Sequence, residues 1–499
     1  MSLKRNVIAT YAGQTYTSVI GVLMLPLYVR YMGIEAYGLI GFYILLQAWF
    51  QMLDIGLTPT MAREAARFSG DASRALALRR LLRALEIFFV IVAVSSGAIL
   101  MASSSYIANS WLKLQDLRTA EVELSVKVIA AILGIRWICG LYRGAISGFE
   151  RLVWLSGFNI AVTTARFVLV IPLFIYVGSS PTVFFAYQLM LAVLELTVLA
   201  SKTYWLLPKV QKETYISWQW EPLQGSLKFA LSIAFTSAVW VLVTQTDKLM
   251  LSKMLQLTEY AYFTLAVMVA SGVTIISAPI STAVLPRLTK QHSLDDSEGL
   301  ARLYRNATQL VAVVAIPAAL VLSIFAEQAL WTWSGDHDLA RQVAPVLALY
   351  ALGNGILAIS AFPYYLQVAK GDLKLHLIGN IFFIFLLIPA VILATRRFGV
   401  VGSGYAWLGA NFIYFSVWVP VVHHRMIKGL HSIWLLQDIF PILIGNTFVI
   451  SFLYIFLSWE KDRVESAIQL IFIALLMFGV SALTASNTRR MIKKYWASR

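Results

Sequence analysis

Residues 375–395 read LHLIGNIFFIFLLIPAVILAT, an apolar stretch that contains no Asp, Glu, Lys or Arg. A helix rises about 1.5 Å per residue, so a stretch of this length can cross a hydrocarbon core of about 30 Å. Similar stretches recur from one end of the chain to the other. The sequence therefore predicts an all-α, polytopic membrane protein.

About fourteen such spans are predicted, and the first of them runs past Leu25 without a small-residue cleavage site. We therefore interpret it as a retained span and not as a secretory signal. The predicted spans cover residues 8–29, 36–57, 84–104, 124–147, 152–177, 181–204, 227–247, 260–285, 306–326, 343–368, 375–395, 400–422, 437–457 and 465–485.

Composition and charge agree with this topology. Hydrophobic residues make up 59% of the 499 residues and charged residues 13%, which is too little polar surface for a soluble globule of this size. More than twice as many of the 40 basic residues fall on one side of the predicted membrane as on the other. By the positive-inside rule that side, which holds both termini, is cytoplasmic. The net charge of +15 thus reflects topology, and no nucleic-acid partner is predicted.

An internal repeat organises the chain. An offset of 223 residues superimposes short charged segments at equivalent loops: Met32–Gly38 on Leu255–Ala261, Arg30 on Lys253, and Gly148-Phe-Glu-Arg151 on Gly371-Asp-Leu-Lys374. Six spans is an even number, so the two repeats have the same orientation and are related by an axis along the membrane normal. The predicted organisation is an N-terminal lobe (1–212), a C-terminal lobe (213–430) and two appended spans with a basic cytoplasmic tail (431–499).

The sequence contains no recognisable motif for nucleotide binding, metal binding or disulfide formation. No Gly-rich loop ends in Lys-Ser or Lys-Thr, the histidines have no metal-ligand spacing, and the single cysteine, Cys139, excludes an intrachain disulfide. Neither a metal nor a cofactor is predicted. Gly140, Gly144 and Gly148 share one face of the fourth span, which predicts close packing against another helix.

Two arginines lie deep within predicted spans. Arg136 and Arg166 have similar depth if spans four and five form a hairpin, and Glu195 of span six lies at a comparable depth. An isolated charge at the bilayer centre costs several kcal/mol, about 3 by insertion scales, so these groups must face a polar cavity or one another. The corresponding spans of the second repeat carry almost no internal charge.

This cluster has two interpretations. Arg166 and Glu195 could form a buried pair that fixes the helix register. Alternatively, Arg136 and Arg166 form a cationic site for an anionic substrate, because the planar guanidinium gives multidentate hydrogen bonds to phosphate. Arg30 and Lys253 would extend the basic surface towards the outside, and Arg63 with Arg287 would extend it towards the cytoplasm.

The chain resembles a known transporter family. The two six-span repeats with two extra helices, the segment Arg30-Tyr-Met-Gly-Ile-Glu-Ala-Tyr-Gly38 after the first span, and Gly148-Phe-Glu-Arg151 after the fourth are similar to the polysaccharide-exporter branch of the multidrug/oligosaccharidyl-lipid/polysaccharide (MOP) exporter superfamily. Within that branch they resemble the Wzx-type O-antigen flippases. The resemblance covers essentially the whole chain.

The resemblance implies a MATE-like V of two six-helix lobes around a cationic cavity. It implies translocation of an undecaprenyl-pyrophosphate-linked oligosaccharide from the cytoplasmic to the periplasmic leaflet of a bacterial inner membrane by alternating access, with no enzymatic activity. Coupling to an H⁺ or Na⁺ gradient is often part of this mechanism, and membrane lipids, a polysaccharide polymerase and a chain-length regulator are candidate partners. The expected substrate-binding residues are Arg136, Arg166, Arg30, Lys253, Arg63 and Arg287, and the expected ion-coupling residues are Glu195, Asp54 and Asp247.

Other functions remain open at the level of the sequence. A lipid II flippase and a cation-coupled drug exporter belong to the same superfamily, although a drug exporter should hold more acid than base in its cavity. An O-antigen polymerase or ligase resembles this chain in hydropathy but carries a large periplasmic loop with catalytic Arg or His, and the longest outside gap here, 105–123, has no His. A passive channel would need a repeated polar stripe, which is not evident.

Overall fold

The computed structural model describes residues 3–54, 56–68, 75–207, 238–239, 241–459 and 462–486. In this part of the chain, twelve helical segments are long and apolar enough to cross a membrane. They correspond to predicted spans two to six and eight to fourteen. The first predicted span is helical but is not among the twelve, and most of the seventh lies outside the described residues. The all-α membrane class is confirmed, whereas the count of fourteen is not.

The chain divides into two compact units, Met1–Ala261 and Tyr262–Arg499. The predicted lobe boundary at residues 212 and 213 lies outside the described residues and stays a prediction. Helices of the first unit are α1 Leu3–Leu23, α2 Leu25–Met32, α3 Ile34–Gln51, α4 Leu57–Phe68, α5 Ala75–Ala102, α6 Ser104–Tyr106, α7 Thr119–Gly148, α8 Leu152–Phe167, α9 Val170–Tyr176, α10 Pro181–Leu206 and α11 (241–254).

The boundary between the units falls within α12, Leu257–Ala270. The second unit contains α13 Gly272–Ser293, α14 Ser297–Ile324, α15 Ala326–Ser334, α16 His337–Ser360, α17 Phe362–Lys370, α18 Lys374–Phe398, α19 Val400–Ile413, α20 Val419–Met426, α21 Leu430–Ile433, α22 Phe440–Phe456 and α23 Arg463–Thr484. Two π-helical segments, Tyr414–Trp418 and Trp434–Ile439, interrupt the helices on either side of α20 and α21.

The 223-residue repeat is visible in the helix boundaries. Helix α3 begins at Ile34 and α12 begins at Leu257, which is the same position at this offset. Helices α7 and α17 end within one residue of equivalence, and so do the starts of α8 and α18. The two repeats therefore share these helix boundaries.

The glycine face of α7 packs against α4. A Cβ atom added to Gly144 would lie 2.7 Å from the carbonyl oxygen of Thr58, and one added to Gly148 would lie 2.2 Å from that of Ala62. Only glycine permits this approach of the two backbones. The close packing predicted from the glycine spacing is confirmed. Asp54 starts α4, because its Oδ1 accepts from the Thr58 backbone N–H at 3.1 Å and from the Thr58 hydroxyl at 2.8 Å.

Glu35, from the segment that follows the first span, is a buried structural carboxylate. Its two oxygens accept backbone N–H bonds from Gln115 at 2.6 Å, Asp116 at 2.8 Å and Leu117 at 2.9 Å. Three charge-assisted bonds offset the cost of burying this carboxylate and fix the loop after the π-helical turn Ile107–Trp111. We call residues 111–117 the clasp loop.

The clasp loop binds the start of the second repeat. The backbone N–H of Leu257 donates to the Lys113 carbonyl at 2.9 Å, and the hydroxyl of Thr258 donates to Gln115 Oε1 at 2.6 Å. The Trp111 indole N–H donates to the Ser252 hydroxyl at 3.0 Å. This contact joins residues that the repeat assigns to different six-span units.

The two C-terminal spans are attached to the second unit by buried polar contacts. Arg305 of α14 donates to both oxygens of Asp438, at 2.6 and 3.0 Å, and Asp438 is fully buried. The Trp434 indole N–H donates to the Thr308 hydroxyl at 2.9 Å. A bidentate pair of this kind fixes the register of the connecting segment against α14.

Candidate functional site

Arg136 and Arg166 converge on one neutral side chain. Arg136 Nη2 donates to Gln188 Oε1 at 2.9 Å, and Arg166 Nε donates to the same oxygen at 3.3 Å. The Tyr43 hydroxyl accepts a further bond from Arg136. We call these four residues, Arg136, Arg166, Gln188 and Tyr43, the arginine site. The shared depth that the sequence predicted for the two arginines thus becomes a shared contact.

Helical periodicity builds this site on α7 and α10. Arg136 and Arg143 lie seven residues apart on α7, and Gln188 and Glu195 lie seven apart on α10, so each pair shares one helix face. Arg143 Nη2 donates to Glu195 Oε1 at 2.5 Å, and Arg143 Nη1 donates to Asn159 Oδ1 of α8. The result is a two-step ladder, Arg136 to Gln188 and Arg143 to Glu195, with about 10 Å between steps.

A break in the fifth span positions Arg166 at the end of α8. Pro172 follows this end and has no backbone N–H, so the helical hydrogen bond to the carbonyl of Val168 cannot form. Beside this break, the carbonyl of Arg166 accepts from Gln188 Nε2 at 3.1 Å, and the carbonyl of Phe167 accepts from the Tyr28 hydroxyl at 3.0 Å. Gln188 therefore holds both the backbone and the guanidinium of Arg166.

The two steps of the ladder differ in charge. The step Arg143 to Glu195 is neutral, whereas the arginine site holds two guanidiniums around an uncharged amide. Within the part of the chain that the structure describes, no carboxylate accepts a hydrogen bond from Arg136 or Arg166, and the buried Nε of Arg136 has no partner. Buried charges require a compensating partner. The arginine site is thus suited to an anion.

The alternative in which Arg166 pairs with Glu195 is wrong, because Glu195 bonds to Arg143. Arg143, which is not among the candidates predicted from the sequence, lies within α7 and belongs to the ladder. Its spacing of two helical turns from Arg136 was the signal that could have identified it. Gln188, the amide that organises the site, carries no charge and gave no signal in a search for charged residues.

The other basic candidates do not join the arginine site. Arg63 bonds to its neighbour Glu64 at 3.0 Å, and the Lys253 ammonium lies 5.0 Å from the Trp111 ring centroid beside the clasp loop. Arg30 and Arg287 are exposed on α2 and α13. Their roles in binding stay predictions.

The acidic candidates are likewise separated. Glu195 belongs to the ladder, and its Oε2 is buried without a hydrogen-bond partner among the described residues. Asp54 caps α4. Asp247 is buried in α11, where its Oδ1 lies 3.5 Å from Lys248 Nζ.

The second unit has no copy of the arginine site at the repeat offset. The positions equivalent to Arg136, Arg166 and Gln188 are Ile359, Pro389 and Asn411, so an amide is present in both repeats but both cations are absent from the second. Asn411 bonds to the carbonyl of Trp407 at 2.8 Å. The charged site is therefore a property of the first unit.

Comparison with known proteins places the chain in a family. The family described as polysaccharide biosynthesis protein matches residues 3–292, which is more than half of the chain. The chain belongs to the polysaccharide biosynthesis protein family. The MatE family also matches, at residues 232–393. The match to the polysaccharide biosynthesis protein family confirms the resemblance to the polysaccharide exporters of the MOP superfamily.

Individual relatives agree with this family. A protein of Shigella flexneri described as "Putative O-antigen transporter" is 17% identical over 407 residues, covering 82% of this chain and 94% of its own length. The structure of lipid II flippase MurJ in an inward closed conformation aligns with a TM-score of 0.73 at 14% identity, over 95% of this chain and 98% of that one. An inward-facing MATE multidrug transporter aligns with a TM-score of 0.69 at 14% identity, over 83% and 96%. The protein is a multi-pass membrane transporter of the MOP superfamily with a MATE-like fold.

Proposed function

We propose that this member of the polysaccharide biosynthesis protein family is a flippase for undecaprenyl-pyrophosphate-linked oligosaccharide units, which it moves across the bacterial inner membrane by alternating access. The observation that carries the proposal is the arginine site, where two guanidiniums share one neutral acceptor. A pyrophosphate supplies the missing negative charge and accepts bonds from both. We place the pyrophosphate in the first unit, because the second lacks both cations.

The glycan then extends away from the arginine site, and the prenyl chain stays in the surrounding lipid. A cationic drug would be repelled by the uncompensated pair of arginines. The drug-exporter alternative is therefore disfavoured. A lipid II flippase transports a substrate with the same pyrophosphate and is the second candidate, supported by the structural similarity to MurJ. The arginine site would bind the pyrophosphate of either substrate, so it does not distinguish the oligosaccharide unit from the glycan of lipid II.

Transport by the purified protein tests the proposal. In proteoliposomes loaded with an undecaprenyl-pyrophosphate-linked oligosaccharide, the protein is expected to expose the glycan to an impermeant oxidant on the opposite face. Lipid II and a cationic dye serve as competing substrates. Exclusive transport of the dye would refute the proposal, and exclusive transport of lipid II would select the second candidate.

We also propose that transport is coupled to an ion gradient, which the same proteoliposome assay can test. Of the three acidic candidates, Glu195 belongs to the ladder and Asp54 and Asp247 lie elsewhere, and the coupling role of all three stays a prediction. An imposed H⁺ or Na⁺ gradient is expected to change the initial rate. Equal rates with and without each gradient would contradict coupling.

We further propose that both termini and the loop near Arg74 are cytoplasmic, as the distribution of basic residues predicts. That loop lies outside the described residues. A Ser73→Cys protein is expected to resist an impermeant thiol reagent in intact cells and to react after permeabilisation. The native Cys139 is buried and gives a low background. Efficient labelling in intact cells would contradict the predicted cytoplasmic location of this loop.

A further inference from the structure

Arg143 has the features of a binding residue although nothing in the proposed function assigns it a role. It lies on the same face of α7 as Arg136, two helical turns away, and contacts the same partner helix. The positive-inside rule puts it on the cytoplasmic side of the arginine site. A substrate headgroup that reaches Arg136 from the cytoplasm therefore passes Arg143 first.

The exposure of the two partners is unequal. The side chain of Arg143 is 32% exposed, whereas that of Glu195 is 5% exposed. An anion from solvent can thus contact the guanidinium of Arg143 while the carboxylate of Glu195 stays buried. Glu195 is also poorly satisfied, because Oε1 accepts from Arg143 while Oε2 has no hydrogen-bond partner among the described residues. Glu195 therefore loses a single hydrogen bond, from Arg143 Nη2, when the guanidinium turns to an anion.

We propose that Arg143 is a second phosphate-binding guanidinium and that Glu195 is its resident counter-ion, which the substrate's pyrophosphate displaces. In this exchange the bond from Arg143 Nη2 to Glu195 Oε1 breaks and a bond from Nη2 to a phosphate oxygen forms. Glu195 remains buried without its cation and takes up one proton from the aqueous phase. In the loaded state the pyrophosphate contacts Arg143 and the arginine site together, and Glu195 returns its proton and binds Arg143 again when the substrate leaves.

This inference rests on the proposed function and adds a defined entry site and a proton exchange to it. Other charged or titratable groups near the exchange also affect its response to pH. They are Arg136 and Cys139 on α7, Arg166 on α8 and, across the arginine site, Tyr43 on α3. The test therefore compares variants at Glu195, in which all of these groups are retained.

The chain itself suggests the matched variant. Glu195→Gln turns the second step of the ladder into a copy of the first, where Gln188 already accepts a bond from an arginine. The amide can still bond to Arg143, so the contact between α7 and α10 is kept. It cannot take up a proton, and it competes less strongly for the guanidinium than a carboxylate does.

Calorimetry of the full-length protein in detergent measures the exchange, with farnesyl pyrophosphate as probe and farnesol as the uncharged control. Buffers of different ionisation enthalpy give the number of protons bound. The wild-type protein is expected to take up about one more proton than Glu195→Gln does, since the ionisation of the probe cancels in this difference. Glu195→Gln is expected to bind the probe roughly tenfold more tightly, and Arg143→Ala roughly tenfold more weakly or worse.

Each outcome has a distinct meaning. If Glu195 only fixes the helix register, Glu195→Gln will change neither the proton count nor the affinity, and the exchange is wrong even though the probe still requires Arg136 and Arg166. If the probe fails to bind the wild-type protein, or binds equally when Arg136 and Arg166 are both replaced by alanine, the proposed function itself is contradicted. Combining Arg143→Ala with Glu195→Gln should remove the gain in affinity, because the competition needs the guanidinium.

Discussion

Gln188→Glu is expected to abolish surface polysaccharide while leaving the protein folded in the membrane. Glutamate has nearly the shape of glutamine, and its carboxylate would accept bonds from Arg136 and Arg166 in place of the neutral Oε1. Charge-assisted bonds of this kind contribute roughly 1.5–3 kcal/mol each, so the internal carboxylate should reduce pyrophosphate binding by roughly a hundredfold or more. The bond from Gln188 to the Arg166 carbonyl is lost, at a cost of about 1 kcal/mol.

Surface polysaccharide and membrane abundance, measured in the same cells, check this result. A Gln328→Glu variant makes the same chemical change on α15, outside the arginine site, and is expected to retain transport. Arg136→Ala and Arg166→Ala should also abolish transport, and substitution by lysine should retain part of it, since lysine keeps the charge but loses the planar fork. A normal level of surface polysaccharide in Gln188→Glu cells would show that the arginine site does not bind the pyrophosphate during transport.

Cross-linking the clasp loop is expected to stop transport reversibly. Lys113 and Gln256 form a bridge between backbone segments, which brings their Cα atoms within range of a disulfide. Under the proposed alternating access the two six-span repeats rock against each other, and we expect this contact to open when the outer side opens. A Lys113→Cys, Gln256→Cys protein should therefore lose transport on oxidation and regain it on reduction, whereas it should remain folded in both states.

The two single cysteine variants, oxidised in parallel, are the controls for this experiment. Both should transport normally, because neither can form the bridge and Cys139 is buried. The extent of cross-linking is read from a shift in gel mobility after cleavage of the connecting chain. Full transport by protein that is verified to be cross-linked would show that the clasp loop need not release residues 252–258.

The hydropathy pattern alone determined that this chain is an all-α membrane protein. Burying the polar backbone in lipid forces each long apolar stretch into a helix, so span positions follow from composition and length without tertiary information. The 223-residue offset likewise aligned Met32–Gly38 with Leu255–Ala261, and helices begin at the equivalent residues Ile34 and Leu257 within these segments, because turn residues act locally. The depth of Arg136 and Arg166 followed from the same arithmetic.

Only the tertiary structure decided which side chains meet. Depth places a residue along the membrane normal but does not define its direction around the helix axis or its neighbour. Glu195 could therefore pair with either of two arginines at nearby levels, and the packing of α7 against α10 gave it to Arg143. Packing also made Gln188, a residue without charge, the centre of the arginine site, and gave the buried Glu35 carboxylate its backbone partners in residues 115–117. Such pairings depend on helix rotation and on contacts between distant segments, which the local sequence does not encode.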